Sequence, residues 1–142
     1  MSTNLSDRVA FTVGSYEHLP FPDNHFNAVL AVETLCHCNN KGKFFAEAAR
    51  VLRPGGRLVV NDFIQSRSPN TPDEVKILDQ WLDGWVLTSL LMKEDYTKLA
   101  TDTGMTITTY TDLTKYIYPS ARRINALWWI GWPVSRLRWL RA

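Results

Sequence analysis

Arg50-Val-Leu-Arg-Pro-Gly-Gly-Arg-Leu-Val-Val-Asn-Asp62 decides the fold of this chain. It reads as a helix end, a forced turn and a buried strand. Pro54 cannot continue a helix and biases Arg53 away from helical angles. Gly55 and Gly56 permit the positive φ that a reversal needs. Leu58-Val59-Val60 predicts a short strand buried on both faces. Asn61 and Asp62 then place polar groups at its C-terminal edge, where open α/β sheets hold their ligands.

Upstream, Lys41 to Leu52 carries Phe44, Phe45, Ala48, Ala49, Val51 and Leu52 at helical spacing, with Asn40 as a cap. Phe26 to Val32 is an apolar run that predicts another strand. A helix joining two consecutive strands implies a parallel pair. Leu19-Pro-Phe-Pro-Asp-Asn-His25 is turn-rich, and Val9, Phe11 and Val13 alternate in Arg8 to Gly14 as a strand would.

Downstream, Thr71-Pro72-Asp73-Glu74 is a helix start, with Thr as cap, Pro in the first turn and Glu three residues on. Leu78, Trp81, Leu82, Trp85 and Val86 extend that helix to about Leu91. Lys93 to Thr103 is a further helix, stopped by Gly104. Met105 to Leu113, rich in Thr, Ile and Tyr, predicts a strand. Pro119 to Leu140 predicts a helix broken near Gly131-Trp132-Pro133.

The 142 residues suffice for a single domain, and 45% apolar against 21% charged residues is a globular composition. No apolar run approaches the roughly 20 residues of a spanning helix, and the N-terminus lacks the layout of a signal peptide. A net charge of +2 gives no global case for nucleic acid. The charge is uneven, since no acidic residue follows Asp112 while Lys115, Arg122, Arg123, Arg136, Arg138 and Arg141 do. Trp128, Trp129, Trp132 and Trp139 lie among those arginines, so 119–142 reads as a helical lid or a peripheral membrane contact, or as a helix packed on the core or a second chain. Cys36 and Cys38 flank one residue and read as reduced thiols of a cytoplasmic protein. Cys36-His37-Cys38 lacks the second pair that a zinc site needs.

Leu19-Pro-Phe-Pro-Asp-Asn-His-Phe-Asn27, the apolar strand after it, and Glu47-Ala-Ala-Arg-Val-Leu-Arg-Pro-Gly-Gly-Arg-Leu-Val-Val-Asn-Asp62 together resemble the class I S-adenosylmethionine-dependent methyltransferases. The later layout is similar to the tocopherol- and sterol-type subgroup. The resemblance implies an α/β fold, an incomplete Rossmann-like sheet holding family strands three to six. Arg8–Gly14 would be the third strand, Phe26–Val32 the fourth, Arg57–Asn61 the fifth and Thr106–Thr111 the sixth. No Gly-x-Gly-x-Gly occurs anywhere in the 142 residues, so the family's cofactor-cradling loop has no counterpart here.

The resemblance also implies S-adenosylmethionine as cofactor and a small, lipophilic methyl acceptor. Ser15 and Tyr16, after the third strand, would lie near the adenine. Glu33 and Thr34, at the end of the fourth, would face the sulfonium. His37 is the candidate general base, because its ordinary pKa near 6.5 suits proton abstraction from a hydroxyl or amine. Asp62, at the end of the fifth strand, has a similar claim. Strands three and six would carry unpaired edges, so association with a second copy or a complementing chain is expected. The competing expectation is a non-catalytic module that keeps half of the fold and binds a partner or a membrane surface.

Overall fold

The computed structural model describes residues 8–139, with side chains described to Trp129. The polar stretch 1–7 lies outside the described residues. Contacts divide the chain into two compact units, 1–107 and 108–142.

The first unit is built on strand β1 (Phe26–Val32), helix α1 (Lys41–Val51) and strand β2 (Leu52–Asn61). β1 and β2 pair in parallel, with Val29 opposite Leu58 and Ala31 opposite Val60. This is the strand–helix–strand unit that the sequence predicts. Asn40 caps α1 by accepting a 3.0 Å hydrogen bond from the Lys43 amide. One face of α1 buries Phe44, Phe45 and Ala48 against Leu35, Cys38 and Ala31, and Val51 is buried at its end. Full burial of each phenylalanine contributes about 2–3 kcal/mol.

The Pro-Gly-Gly segment differs from the expected turn. β2 begins at Leu52, and residues 53–56 bulge out within the strand opposite Asn27, because the register passes from Phe26–Leu52 directly to Ala28–Arg57. Only Gly55 takes a positive φ, +78°. Gly56 answers a different need: a Cβ there would stand 2.8 Å from the Arg53 carbonyl oxygen and 3.2 Å from that of Asn27. The bulge therefore uses one glycine for its angle and the other for its close approach.

The sheet is covered on one face, not two. Val29, Ala31, Leu58 and Val60 pack on the core, whereas Leu30 is 69% exposed and Val32 and Val59 are also open. The two further strands expected from the sequence do not form. Arg8 to Gly14 makes no ladder, with Phe11 at 96% and Val13 at 101% exposure. Residues 105–113 are likewise irregular. A strand exists only where a neighbour accepts and donates its backbone hydrogen bonds. Among the described residues the sheet holds β1 and β2, and neither segment pairs into it.

Helix α2 (Pro72–Trp85) starts as expected, with Thr71 accepting from the Glu74 amide at 3.2 Å. It stops short of Leu91, because Val86 turns left-handed at φ +56°. Helix α3 (Lys93–Asp102) ends before Gly104, whose φ is +77°. Its Tyr96, Leu99 and Ala100 complete the core beneath Phe45. In the second unit, helix α4 (Thr114–Trp139) is continuous through both Pro119 and Pro133. Each proline deletes one donor, and the flanking hydrogen bonds carry the helix past it.

Candidate active site at the sheet rim

The site is built on the loop that leaves β1. Glu33 has a left-handed φ of +49°, and its amide still donates to the Asn61 carbonyl at 2.8 Å. A non-glycine residue held there is a strained point at the ligand edge of the sheet. A single 3₁₀ turn, Leu35–His37, follows.

Asp62, at the end of β2, reaches across to that turn. Its Oδ2 accepts the amides of Thr34 at 3.1 Å, Leu35 at 2.6 Å and Cys36 at 3.2 Å. Its Oδ1 accepts the Phe63 amide at 2.8 Å. Oδ2 is thus engaged by backbone donors that the turn leaves unpaired, and Oδ1 by the amide of the next residue. This geometry makes Asp62 the clamp of the rim loop and leaves it poorly placed to abstract a proton.

His37 ends the turn, exposed to solvent. Its Nδ1 lies 3.1 Å from the Val86 carbonyl oxygen. A carbonyl cannot donate, so in the neutral ring Nδ1 carries the proton and Nε2 presents the basic lone pair. Val86 and its neighbours are fastened to the same loop. The Thr88 amide donates to the Cys36 carbonyl at 3.0 Å, and the Thr88 hydroxyl reaches the Cys36 and Cys38 carbonyls at 3.1 and 2.9 Å.

Lys41 is the second tie. It is 6% exposed, and its Nζ donates to the Cys38 carbonyl at 3.1 Å and to Ser89 Oγ at 2.9 Å. Burial lowers its pKa, and the nearby Cys38, Asp62 and Cys36 only partly oppose this. Cys36 and Cys38 are free and buried beneath the loop. Burial, then the hydrogen bond with Asp62, raise the Cys36 thiol to about 11. Burial, then the Glu17 carboxylate, raise Cys38. Both are protonated packing groups rather than nucleophiles. Among the described residues no group of three or more His, Cys, Asp or Glu could hold a metal ion.

The residues expected near the adenine approach from the other side. Ser15 Oγ accepts the Glu17 amide at 3.1 Å in a local turn, and the Ser15 carbonyl accepts the His18 amide at 3.0 Å. Tyr16 is half-buried against the core, and burial raises its hydroxyl pKa. Glu17, which sequence reading passes over, ties this segment to the rim. Its Oε1 accepts the Asn40 amide at 2.9 Å and lies 3.6 Å from Cys38 Sγ. Tyr16, Thr34, His37 and Asp62 therefore belong to one constellation around residues 34–38. The side chain of Ser15 is occupied locally.

Two residues beyond Asp62, an open cleft of about 410 Å³ is lined by Ile64, Ile77, Leu78, Trp81 and Leu90. The Arg67–Glu74 ion pair, at 2.8 Å, forms part of its wall. Phe63 packs edge-on against Trp81 with centroids 5.6 Å apart, and Trp85 lies tilted beside Trp81.

A parallel strand–helix–strand with its constellation at the C-terminal rim is the architecture of a Rossmann-like ligand-binding domain. Residues 2–60 match the family model described as a methyltransferase domain. A rice protein (Oryza sativa subsp. japonica) named probable tocopherol O-methyltransferase is 31% identical over 134 residues, covering 89% of this chain and 37% of that protein. A structure from Galdieria sulphuraria, provisionally assigned as a sarcosine dimethylglycine methyltransferase, aligns with a TM-score of 0.65 at 25% identity, over 74% of this chain and 38% of its own. The [4+2]-cyclase SpnF aligns at 30% identity with a TM-score of 0.56, over 70% of this chain and 33% of its own. The chain belongs to the class I S-adenosylmethionine-dependent methyltransferase family. It spans less than half the length of each of these relatives.

Proposed function

We propose that this chain is the acceptor-side portion of a domain that moves a methyl group from S-adenosylmethionine to a small, lipophilic molecule. The observation that carries the reading is the His37 ring, tied through Nδ1 to the Val86 carbonyl at 3.1 Å and presenting Nε2 at the sheet rim. Nε2 would take the proton from the acceptor's hydroxyl or amine. The apolar cleft around Trp81 and Leu78 supports a lipophilic acceptor.

Bound cofactor would supply an activated methyl group on a sulfonium. Of this chain's residues, Tyr16, Glu33 and Thr34 would hold it from the rim, with Ser15 contributing its remaining hydroxyl hydrogen. The fit is partial, since the glycine-rich cradle has no counterpart among the 142 residues. Asp62 would act by fixing the loop that carries Thr34 and His37, not by touching the acceptor.

A second reading rests on a separate observation. Among the described residues Leu30, Val32 and Val59 form an open apolar sheet face, and the sheet has two strands, each with one unpaired edge. Those features favour a non-catalytic module completed by another chain, whether a second copy or a different one.

Titration calorimetry of the purified chain with S-adenosylhomocysteine separates the two readings. Saturable binding near micromolar affinity supports the first. No heat up to millimolar ligand rejects cofactor binding by this chain and leaves the second.

A further inference from the structure

Residues 86–89 are bonded to the rim loop on both sides of His37. The Val86 carbonyl faces Nδ1 at 3.1 Å. Two residues on, the Thr88 amide donates to the Cys36 carbonyl at 3.0 Å. The Thr88 hydroxyl lies 3.1 Å from that same oxygen and 2.9 Å from the Cys38 carbonyl. A hydroxyl has one proton, so the two carbonyls share it in a three-centre bond. Cys36 and Cys38 are the chain neighbours of His37. Thr88 therefore grips the backbone just before and just after the ring.

Lys41 reinforces the junction from below. Burying an ammonium costs free energy that only its hydrogen bonds offset. At 6% exposure, Lys41 directs two of them here, to the Cys38 carbonyl and to Ser89 Oγ. Val86 is also held from the helix side. Its amide donates to the Asp83 carbonyl at 3.2 Å, and the Leu87 amide donates to the Leu82 carbonyl at 2.9 Å. Further along, the Gln65 amide donates to the Leu91 carbonyl at 2.9 Å, and Leu90 lines the apolar cleft. The carbonyl that orients His37 and one wall of the cleft thus sit on a single strip, 86–91.

We infer that the Thr88 hydroxyl is a positioning group for His37. By holding the Cys36 and Cys38 carbonyls it keeps the Val86 carbonyl on Nδ1, and so leaves Nε2 as the open nitrogen. Thr88 acts through the ring and makes no contact with the acceptor in this role. The inference rests on the reading of His37 as the base. Packing does not account for Thr88, because the residue is exposed and its methyl group buries little. Its fixed partners are the two carbonyls, and only the hydroxyl and the amide reach them.

Long-range proton–nitrogen NMR correlation on the full chain tests this, at a pH where the imidazoles are neutral. It reads which ring nitrogen carries the proton. His37→Asn identifies the His37 signals, and His18 and His25 serve as internal controls. Wild-type His37 should carry its proton mainly on Nδ1. Thr88→Val keeps the branched shape and the amide and removes the hydroxyl. It should lower the ratio of Nδ1–H to Nε2–H at His37 by roughly 2- to 10-fold, the net effect of one hydrogen bond. Thr88→Ser keeps the hydroxyl and should keep the wild-type ratio. Unchanged His18 and His25 signals show that each variant keeps its fold. A wild-type ring protonated mainly on Nε2, a ratio that Thr88→Val does not move, or a Thr88→Ser ratio matching that of Thr88→Val overturns the inference. Calorimetry with S-adenosylhomocysteine keeps it distinct from the proposed function. A ratio that responds as expected in a chain that gives no heat supports the inference and rejects cofactor binding. Heat together with an unresponsive ratio does the reverse.

Discussion

His37 Nδ1 and the Val86 carbonyl oxygen meet at 3.1 Å although the residues stand 49 apart in sequence. That contact assigns the imidazole tautomer and ties the end of α2 to the sheet rim. Its consequence is chemical. On the proposed function, His37→Asn should lower the methyl-transfer rate by about 10²–10⁴-fold. A rate within twofold of wild type would remove His37 from the chemistry.

Val86 holds its carbonyl in place from a left-handed conformation, φ +56° and ψ 41°, which a β-branched residue adopts at a cost. Its side chain is 79% exposed, so little packing is lost on truncation. Val86→Gly should therefore stabilise the chain by about 1 kcal/mol. Urea unfolding checks the sign. A fall in midpoint would mean that the Val86 side chain contributes more than its backbone strain costs.

Asp62 occupies the amides of Thr34, Leu35 and Cys36 with one oxygen. Asp62→Ala leaves these donors without that partner and should destabilise the fold by about 2–4 kcal/mol. Hydrogen exchange at residues 34–36 should accelerate well beyond that of α1. Protection unchanged at those amides would contradict the clamp.

Glu47 carries a pH dependence whose sign is fixed. Its carboxylate accepts Arg50 Nε and Nη2 at 2.8 Å each and the Leu19 amide at 2.7 Å. The Arg50 hydrogen bonds, foremost, lower its pKa to about 2. A carboxyl more acidic folded than unfolded stabilises above its unfolded pKa of about 4.3 and loses that contribution as pH falls toward its folded value. Tm should drop between about pH 4.5 and pH 2, and Glu47→Gln should flatten that drop. An identical slope in the variant would assign the acid transition to other carboxyls.

Gly56 in β2 and Gly84 in α2 differ in the space around them. Gly56→Ala places a Cβ 2.8 Å from the Arg53 carbonyl and should cost about 1–3 kcal/mol. Gly84→Ala, inside α2 with nothing within 4 Å, should instead stabilise by about 0.5–1 kcal/mol. Equal midpoints for the two variants would show that the bulge yields to the added methyl.

The sequence by itself determined the elements whose causes are local. β1 at Phe26–Val32, α1 from Lys41 with its Asn40 cap, the Thr71 cap of α2 and the Gly104 stop of α3 each follow from side chains within one or two turns. The family was legible in the same way, from the Arg50–Asp62 register. The tertiary structure decided everything that needed a distant partner. Arg8–Gly14 and residues 105–113 have strand-forming sequences and form no strand, because a ladder is satisfied by a neighbour and not by propensity. The Pro-Gly-Gly segment became a bulge because Asn27 fills the space opposite it. Asp62, Lys41 and Thr88 could not be assigned their partners from the chain, since each acts on backbone groups or side chains brought near only by folding. His37 was visible as a histidine in a loop, but which of its nitrogens is free depends on a carbonyl that only the folded chain supplies.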